Sequence, residues 1–434
     1  MFWLKPERVL MVVESFARAG AERQILVLSE GLKRRGYEVS VFQLVGVVPG
    51  QANFENELAQ LGIPLWDATS FADARPALVD AYERLAPFAE ILPANFAAIG
   101  RALAAAVAEF TPDAVNGWSD MANVFGGVVA RAMGVSRIVL GQRVLPGTHW
   151  TSEAQSKLYR QAYRELARDP RVAFVNCSAA SAKAYETWME LKSGTVRVVY
   201  NGLPAAMAKP GKTVTPAVAR AGFGLPPGAV VVGGLMRFSP EKDPLLWLET
   251  AAAIARARPD TVFLLGGYGH DTIAADLCRK GAELGLGARL MMPGIIGDIA
   301  SFYAALDAFL LTSRAEAFGN VLIEAQAAGV PVVAPAVGGI AETMNDGVTG
   351  CLVTDRSAAG LAAVMLEVLS DGDWRARAAA EAPAFVARNF SAGRMVDETA
   401  AIYRSDRSAS RLLARLRGTL GQAFYGAGRA AVRP

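Results

Sequence analysis

The chain is poor in the residues that build metal and disulfide sites. Its 434 residues include three cysteines and two histidines. Cys177, Cys278 and Cys351 lie too far apart for a disulfide framework or a zinc spacing. His149 and His270 are too few for a histidine metal centre, so neither a metal nor a tightly held cofactor is expected. Hydrophobic residues make up 52%, yet no uninterrupted run approaches the ~18 apolar residues of a membrane span. The longest candidates, Val9 to Val13 and Ala229 to Leu235, are strand length. Met1 to Pro6 leads into a strand without the apolar core of a signal peptide, so a cytoplasmic location is expected. Large excess charge of one sign is also missing. The net charge is +3, and Arg404 to Pro434 holds seven arginines against the single acid Asp406. The rest is slightly acidic, which argues against a general nucleic-acid surface. There is no GxxxxGK[ST], hence no P-loop. Gly266-Gly267-Tyr268-Gly269 follows a strand but lacks GxGxxG and its distal acid, so NAD binding is not expected.

Short apolar strands and amphipathic helices are abundant. Arg8 to Val13 reads as a strand, and Gly20 opens a helix whose Ile25, Leu28 and Leu32 share one face. Strand–helix alternation continues to Val199 and resumes at Ala229, the pattern of α/β domains with parallel sheets. Between them, residues 204–228 hold five prolines and little periodicity, the composition of a linker. The expected organisation is residues 1–203 as one Rossmann-like domain and 229–390 as a second. A C-terminal helix and basic tail, 391–434, would pack back toward the first. Two such sheets imply a cleft, with ligands at the carboxyl ends of the strands.

One stretch organises the rest: Thr312 to Pro331, TSRAEAFGNVLIEAQAAGVP. A strand enters it, Gly319 breaks the pattern, and Asn320 to Ala328 is built largely from helix formers. The amides of Phe318, Gly319, Asn320 and Val321 precede the first helical turn, where unpaired N–H groups and the helix dipole favour an anion such as a phosphate. Glu316 lies on the loop, and Glu324 shares a helix face with Asn320. Carboxylates flanking a phosphate position suit a phosphorylated ligand with several hydroxyls. Ser313 and Glu316 also satisfy a capping box, which would need no ligand; Gly319 in the first turn argues against it.

Other residues carry two readings each. Arg237 and Lys242 leave the first strand of the second domain, placed to neutralise a diphosphate or simply solvated. Gly338-Gly339-Ile340-Ala341-Glu342 could give amides to the same anion or cap a short helix. Asp371-Gly372-Asp373 reads as a turn and a helix cap rather than a metal dyad. On the first domain, Gly20 either lets backbone approach a ligand or serves the turn alone. Trp118, Asp120, Asn123 and Arg143 line an acceptor edge, with Trp118 either stacking on a sugar ring or structural. His149, in the loop after Leu140, could contact an acceptor hydroxyl or be an ordinary surface histidine.

Together these segments resemble the retaining glycosyltransferases of family 4, which have the GT-B fold. EAFGNVLIEAQAAGVPVV with the later GG-I-A-E looks like the family's E-x7-E signature, MRFSPEKDP like its Arg…Lys loop, and GGYGHD like its glycine turn. ARAGAERQ resembles its N-terminal entry, and VVYNGL the segment before its hinge. The resemblance implies transfer of a sugar from a nucleotide-sugar, foremost a UDP-sugar, to an acceptor hydroxyl with retained configuration and no metal. The acceptor would be a sugar, a lipid-linked sugar or a polysaccharide precursor. It assigns Arg237 and Lys242 to the donor diphosphate, Glu316 to sugar hydroxyls and Glu324 to the ribose. The amides of Phe318, Gly319, Asn320 and Val321 would meet the phosphate and sugar, and Gly20 would let the first-domain loop reach the donor. An epimerase of the same fold and a non-catalytic nucleotide-sugar-binding subunit are the alternatives. The chain departs from the family where a first-domain histidine is common, at Asn116 to Asp120. It departs again in lacking Asp after Asn201-Gly202, and in having Tyr268 in the glycine turn. In the tail, Leu412, Leu413 and Leu416 with Arg411, Arg415 and Arg417 form a basic amphipathic helix. It would either rest peripherally on an anionic inner membrane face or stay solvated.

Overall fold

The apolar run Arg8–Val13 forms β1, buried from Val9 onward. Strands covered on both faces read as continuous apolar runs, which is why periodicity of two is absent here. The computed structural model describes residues 7–17, 19–46, 53–71, 96–148, 152–204, 214–269 and 271–404. These divide into two units. Of the described residues, the first takes in those up to Asn176, Ala182–Val199 and Met395–Arg404. The second takes in Cys177–Ser181 and Tyr200–Arg394.

In the first unit β1 is followed by β2 (Glu38–Gln43), β3 (Leu65–Trp66), β4 (Ala114–Trp118), β5 (Arg137–Gln142), β6 (Val172–Asn176) and β7 (Val196–Val198). They form one parallel sheet in the order β3-β2-β1-β4-β5-β6-β7. The chain builds outward from β1 in one direction and from β4 in the other, so the order reverses between these two strands. Leu10, Val12, Phe42, Phe125 and Leu140 anchor the core against the flanking helices.

The helix Ala392–Arg404 enters this unit at Met395. Its buried face carries Met395, Val396, Ala400, Ile402 and Tyr403. The hydroxyl of Tyr403 donates to Asn116 Oδ1 at 2.7 Å, and Arg137 Nε donates to the Ile402 carbonyl at 3.0 Å. Burial pushes the Tyr403 phenol well above its usual range, so it stays a donor at any working pH. Tyr403→Phe leaves a buried amide oxygen without that donor. It should destabilise the chain by about 1–3 kcal/mol in chemical denaturation.

The second unit has β8 (Val230–Arg237), β9 (Thr261–Tyr268), β10 (Leu290–Gly294), β11 (Ala308–Leu310), β12 (Val332–Pro335) and β13 (Gly350–Val353). All are parallel, in the order β10-β9-β8-β11-β12-β13, and the reversal falls between β8 and β11. Trp247, fully buried, ties its indole N–H to the Leu310 carbonyl at 3.1 Å, pinning the helix Pro244–Ala257 to β11. The layered α/β architecture expected from the alternation is present in both units.

The proline-rich stretch corrects the linker reading. From Val214 onward the described part of 204–228 is built into the second unit. Thr215 caps a helix, Pro216–Gly222, with Pro216 in its first turn. Proline is suited to that position because its missing N–H would have no partner there anyway. Ala219 and Leu225 are buried in the core, and Arg220 pairs with Asp307 at 2.7 Å. Proline density signalled a helix start and turns as much as a linker.

Candidate active site

In open α/β sheets ligands bind beyond the carboxyl ends of strands where the order reverses. In the second unit that point is the end of β8 beside β11, from which the two motif-bearing loops emerge. The loop after β8 folds back on itself: Lys242 and Asp243 both donate their amides to the Ser239 carbonyl. Asp243 has a left-handed backbone, φ 53°, and accepts from Leu246 N at 3.4 Å to cap the helix Pro244–Ala257. The loop after β11 is laced to it. Thr312 Oγ1 donates to the carbonyls of Lys242 and Asp243 at 3.2 and 3.1 Å. Arg314 N donates to the Glu241 carbonyl at 2.8 Å.

This lacing brings Lys242 Nζ to Glu316 Oε1 at 2.5 Å. Ser313 Oγ donates to the same oxygen at 2.8 Å. The capping-box reading is therefore overturned. Ser313 serves the Glu316 carboxylate, and the helix starts later, at Asn320, with Gly319 as its N-cap. Gly319 has φ 99°, a conformation that only glycine adopts without strain. The Phe318 side chain behind it is anchored in an aromatic cluster with Tyr200 and Phe390, at ring distances of 5.8 and 5.3 Å. Leu322 N returns to the Gly319 carbonyl, so the amides of Phe318, Gly319, Asn320 and Val321 precede the helical ladder. Asn320 Oδ1 accepts from Asn201 Nδ2 at 2.8 Å. Glu324, 3% exposed, accepts from the Tyr303 hydroxyl at 3.1 Å.

Arg237 and Lys242 end up on one loop but with different partners. Arg237, 44% exposed, pairs with Glu241. Burial acts to raise the Glu241 pKa, but hydrogen bonds from Arg237 and Ser239 outweigh it and bring the carboxyl down to about 2. A carboxylate depressed in the folded state contributes stability above its unfolded value and loses it as pH falls through the folded one. The stability difference between wild type and Glu241→Gln should therefore be full at pH 7. It should shrink between about 4.5 and 2 in acid denaturation.

In the GG-I-A-E segment the Gly339 amide is engaged within the loop itself. Gly339 N donates to the Glu316 carbonyl at 3.0 Å, so it braces the loop. Glu342 accepts from the amides of Ala179 and Ala180 at 2.7 and 2.8 Å. Asp371 is the N-cap of the helix Gly372–Asn389, accepting from Trp374 N at 2.7 Å. Among the described residues no group of three or more His, Cys, Asp or Glu is arranged to hold a metal ion. No helix among them is long and apolar enough to cross a membrane.

In the first unit, Gly20 begins the helix Gly20–Arg34 just beyond β1 and is exposed. The acceptor-edge residues are less open than expected. Trp118 is 1% exposed, and the Arg143 guanidinium covers its ring at 3.8 Å from the centroid, so the ring does not present a face for sugar stacking. Asp120 is buried with its carboxylate taken up by phenols: Tyr163 donates at 2.7 Å, and Tyr185 at 2.8 and 3.0 Å. Glu14, at the end of β1, has its pKa raised by burial and by the Asp120 charge. Neither the tyrosines nor Glu14 stood out in the sequence, because their meeting depends on three separate strands and helices. His149, His270 and the basic tail lie outside the described residues.

Two doubly wound parallel units, with a Lys–Glu pair and a glycine-started helix at the switch point of the second, define the GT-B class. Sequence profiles agree: Glycosyltransferase Family 4 matches residues 18–206, and Glycosyl transferases group 1 matches residues 219–385. The chain belongs to the glycosyltransferases of family 4. It is 31% identical over 250 residues to the Vi polysaccharide biosynthesis protein VipC/TviE of Salmonella typhi, an alignment covering 57% of this chain and 43% of that one. A D-inositol 3-phosphate glycosyltransferase of Frankia alni is 36% identical over 196 residues, covering 43% of this chain and 47% of its own. The chain thus spans about half the length of these curated relatives. Among solved structures, Anabaena HepE in complex with UDP and glucose superposes with a TM-score of 0.73 at 22% identity, covering 92% of this chain and 99% of HepE. WaaG, a glycosyltransferase involved in lipopolysaccharide biosynthesis, gives 0.67 at 16%, covering 92% and 100%.

Proposed function

We propose that the chain is a glycosyltransferase that moves a sugar from a UDP-sugar to an acceptor hydroxyl, with retained configuration and no resident metal. The observation that carries this is the Lys242–Glu316–Ser313 cluster at the β8/β11 switch point, directly ahead of the helix Asn320–Ala327. Breaking a sugar–phosphate bond builds negative charge on the leaving diphosphate and positive charge on the sugar. Fixed cations and helix amides at the diphosphate stabilise the first where it develops. A donor diphosphate replaces Glu316 as the partner of Lys242, and Arg237 turns to it from Glu241. The freed Glu316 carboxylate accepts from sugar hydroxyls, and Glu324 takes the ribose. HepE, solved with UDP and glucose, supports UDP as the nucleotide, and the Salmonella relative's name supports polysaccharide assembly as the setting.

Thermal-shift titration with UDP-, GDP- and ADP-sugars tests the assignment. A ligand that binds only the folded chain stabilises it in proportion to the logarithm of concentration over Kd. UDP-sugars should raise Tm progressively, while GDP- and ADP-sugars should have little effect. A shift with GDP- or ADP-sugars alone would reassign the nucleotide, and none with any of the three would remove the donor reading.

A further inference from the structure

Neither Lys242 nor Glu316 lies in a strand, and a lysine–carboxylate contact on two loops would ordinarily wander. Here a third loop, following β13, reaches across both. Arg356 Nη2 donates to Asp243 Oδ2 and to the Thr312 carbonyl, the latter at 3.0 Å, and its Nε donates to the Ser313 carbonyl at 3.0 Å. One guanidinium therefore bonds the residue directly after Lys242 and two successive residues at the root of the Glu316 loop. A planar guanidinium with several donors in a fixed fork suits this, and an ammonium does not. Asp243, only 9% exposed at its side chain, takes a second cation from Arg314 at 2.9 Å. Arg314 is 64% exposed and solvated, whereas Arg356 is 25% exposed. Arg356 is thus the better-shielded partner, and the less screened of the two. The Asp243 carboxylate divides its work: Oδ1 caps the helix Pro244–Ala257, while Oδ2 takes the two arginines.

We propose that Arg356 is a positioning residue: through Asp243 and the Thr312–Ser313 carbonyls it holds Lys242 and Glu316 within hydrogen-bonding distance before any donor arrives. Its importance to catalysis rests on the donor-site reading, but the placement itself exists without ligand. Arg356 touches neither Lys242 nor Glu316 directly, so it acts by fixing the backbone that carries them.

The test uses the full chain with lysine isotope-labelled at the ε-methylene, observed by NMR. The Lys242 signal is identified by its loss in Lys242→Arg. In the wild type a held Lys242 should show two distinct ε-proton shifts. In Arg356→Met these should collapse to the averaged position of solvated lysines, and in Arg356→Lys they should recover only in part. Because Arg356→Met leaves the buried Asp243 carboxylate with one solvated cation, the double variant Arg356→Met/Asp243→Gly serves as the folding control. It should regain thermal stability while Lys242 stays averaged. Wild-type Lys242 signals in either Arg356→Met background would overturn the proposal, since the arginine would then only satisfy Asp243. UDP is added last. In the wild type it should shift the Lys242 signals, and in Arg356→Met its Kd should rise about tenfold, a cost of some 1.4 kcal/mol. If UDP leaves wild-type Lys242 unmoved, the donor reading fails, while the ligand-free spectra still decide the role of Arg356.

Discussion

Glu316→Ala is expected to lower sugar transfer by about 10²–10³-fold while UDP continues to bind, the range seen when one stabilising group is removed from a preorganised site. In the ligand-free protein the Glu316 carboxylate is the acid facing Lys242 and takes the Ser313 hydroxyl as well. Removing it has opposite effects on the two parts of the donor. The lysine loses its internal competitor, so the diphosphate should bind as tightly as in the wild type or more so. The sugar loses the acceptor for its hydroxyls, so its alignment for cleavage is lost. Initial rates with the donor found by thermal shift, set beside a UDP titration of the same variant, separate the two effects. Parallel loss of both would mean that Glu316 only holds Lys242 in place.

Gly339→Ala should have the second-largest effect. A methyl at this position would meet the Ala317 carbonyl oxygen at 2.1 Å and the Ser178 side chain at 2.7 Å. Ser178 can turn aside, but the Ala317 carbonyl is backbone of the loop that carries Glu316 to Gly319. The amide of Gly339 also bonds the Glu316 carbonyl, so the clash falls on the brace of the site itself. Overpacking of this kind costs about 1–3 kcal/mol of stability. Displacing a reacting group by even 1 Å can cost ~10²-fold in rate. The variant should therefore lose more activity than its Tm shift accounts for, with circular dichroism melts and initial rates as the two readouts. A fully active variant would mean that the loop relaxes without moving Glu316.

Much of the fold was legible because buried parallel strands and amphipathic helices leave strong local patterns. β1 and the helix Gly20–Arg34 were readable from residues adjacent in the chain. The loop from Thr312 to Gly319 was half legible. Gly319 announced the break, yet Ser313 and Glu316 fitted a capping box equally well. Only the arrival of Lys242, from a loop more than seventy residues earlier, shows that the carboxylate faces a cation. Trp118 could be read as a stacking surface or as structural, because sequence does not reveal that Arg143 lies over its ring. Asp120 looked available because Tyr163 and Tyr185 come from separate helices. Arg356 left no local signal, since its partners come from two other loops. What escaped the sequence was the pairing of polar groups across loops, where no periodicity exists to read.

The central claim is that the second unit holds a nucleotide diphosphate at Lys242, and calorimetric titration of UDP tests it most directly. The wild type should bind one UDP per chain. Lys242→Met should weaken binding by about 10–100-fold, the range of one hydrogen bond to a charged group. Absence of UDP binding by the wild type, or equal affinity in Lys242→Met, would contradict the account.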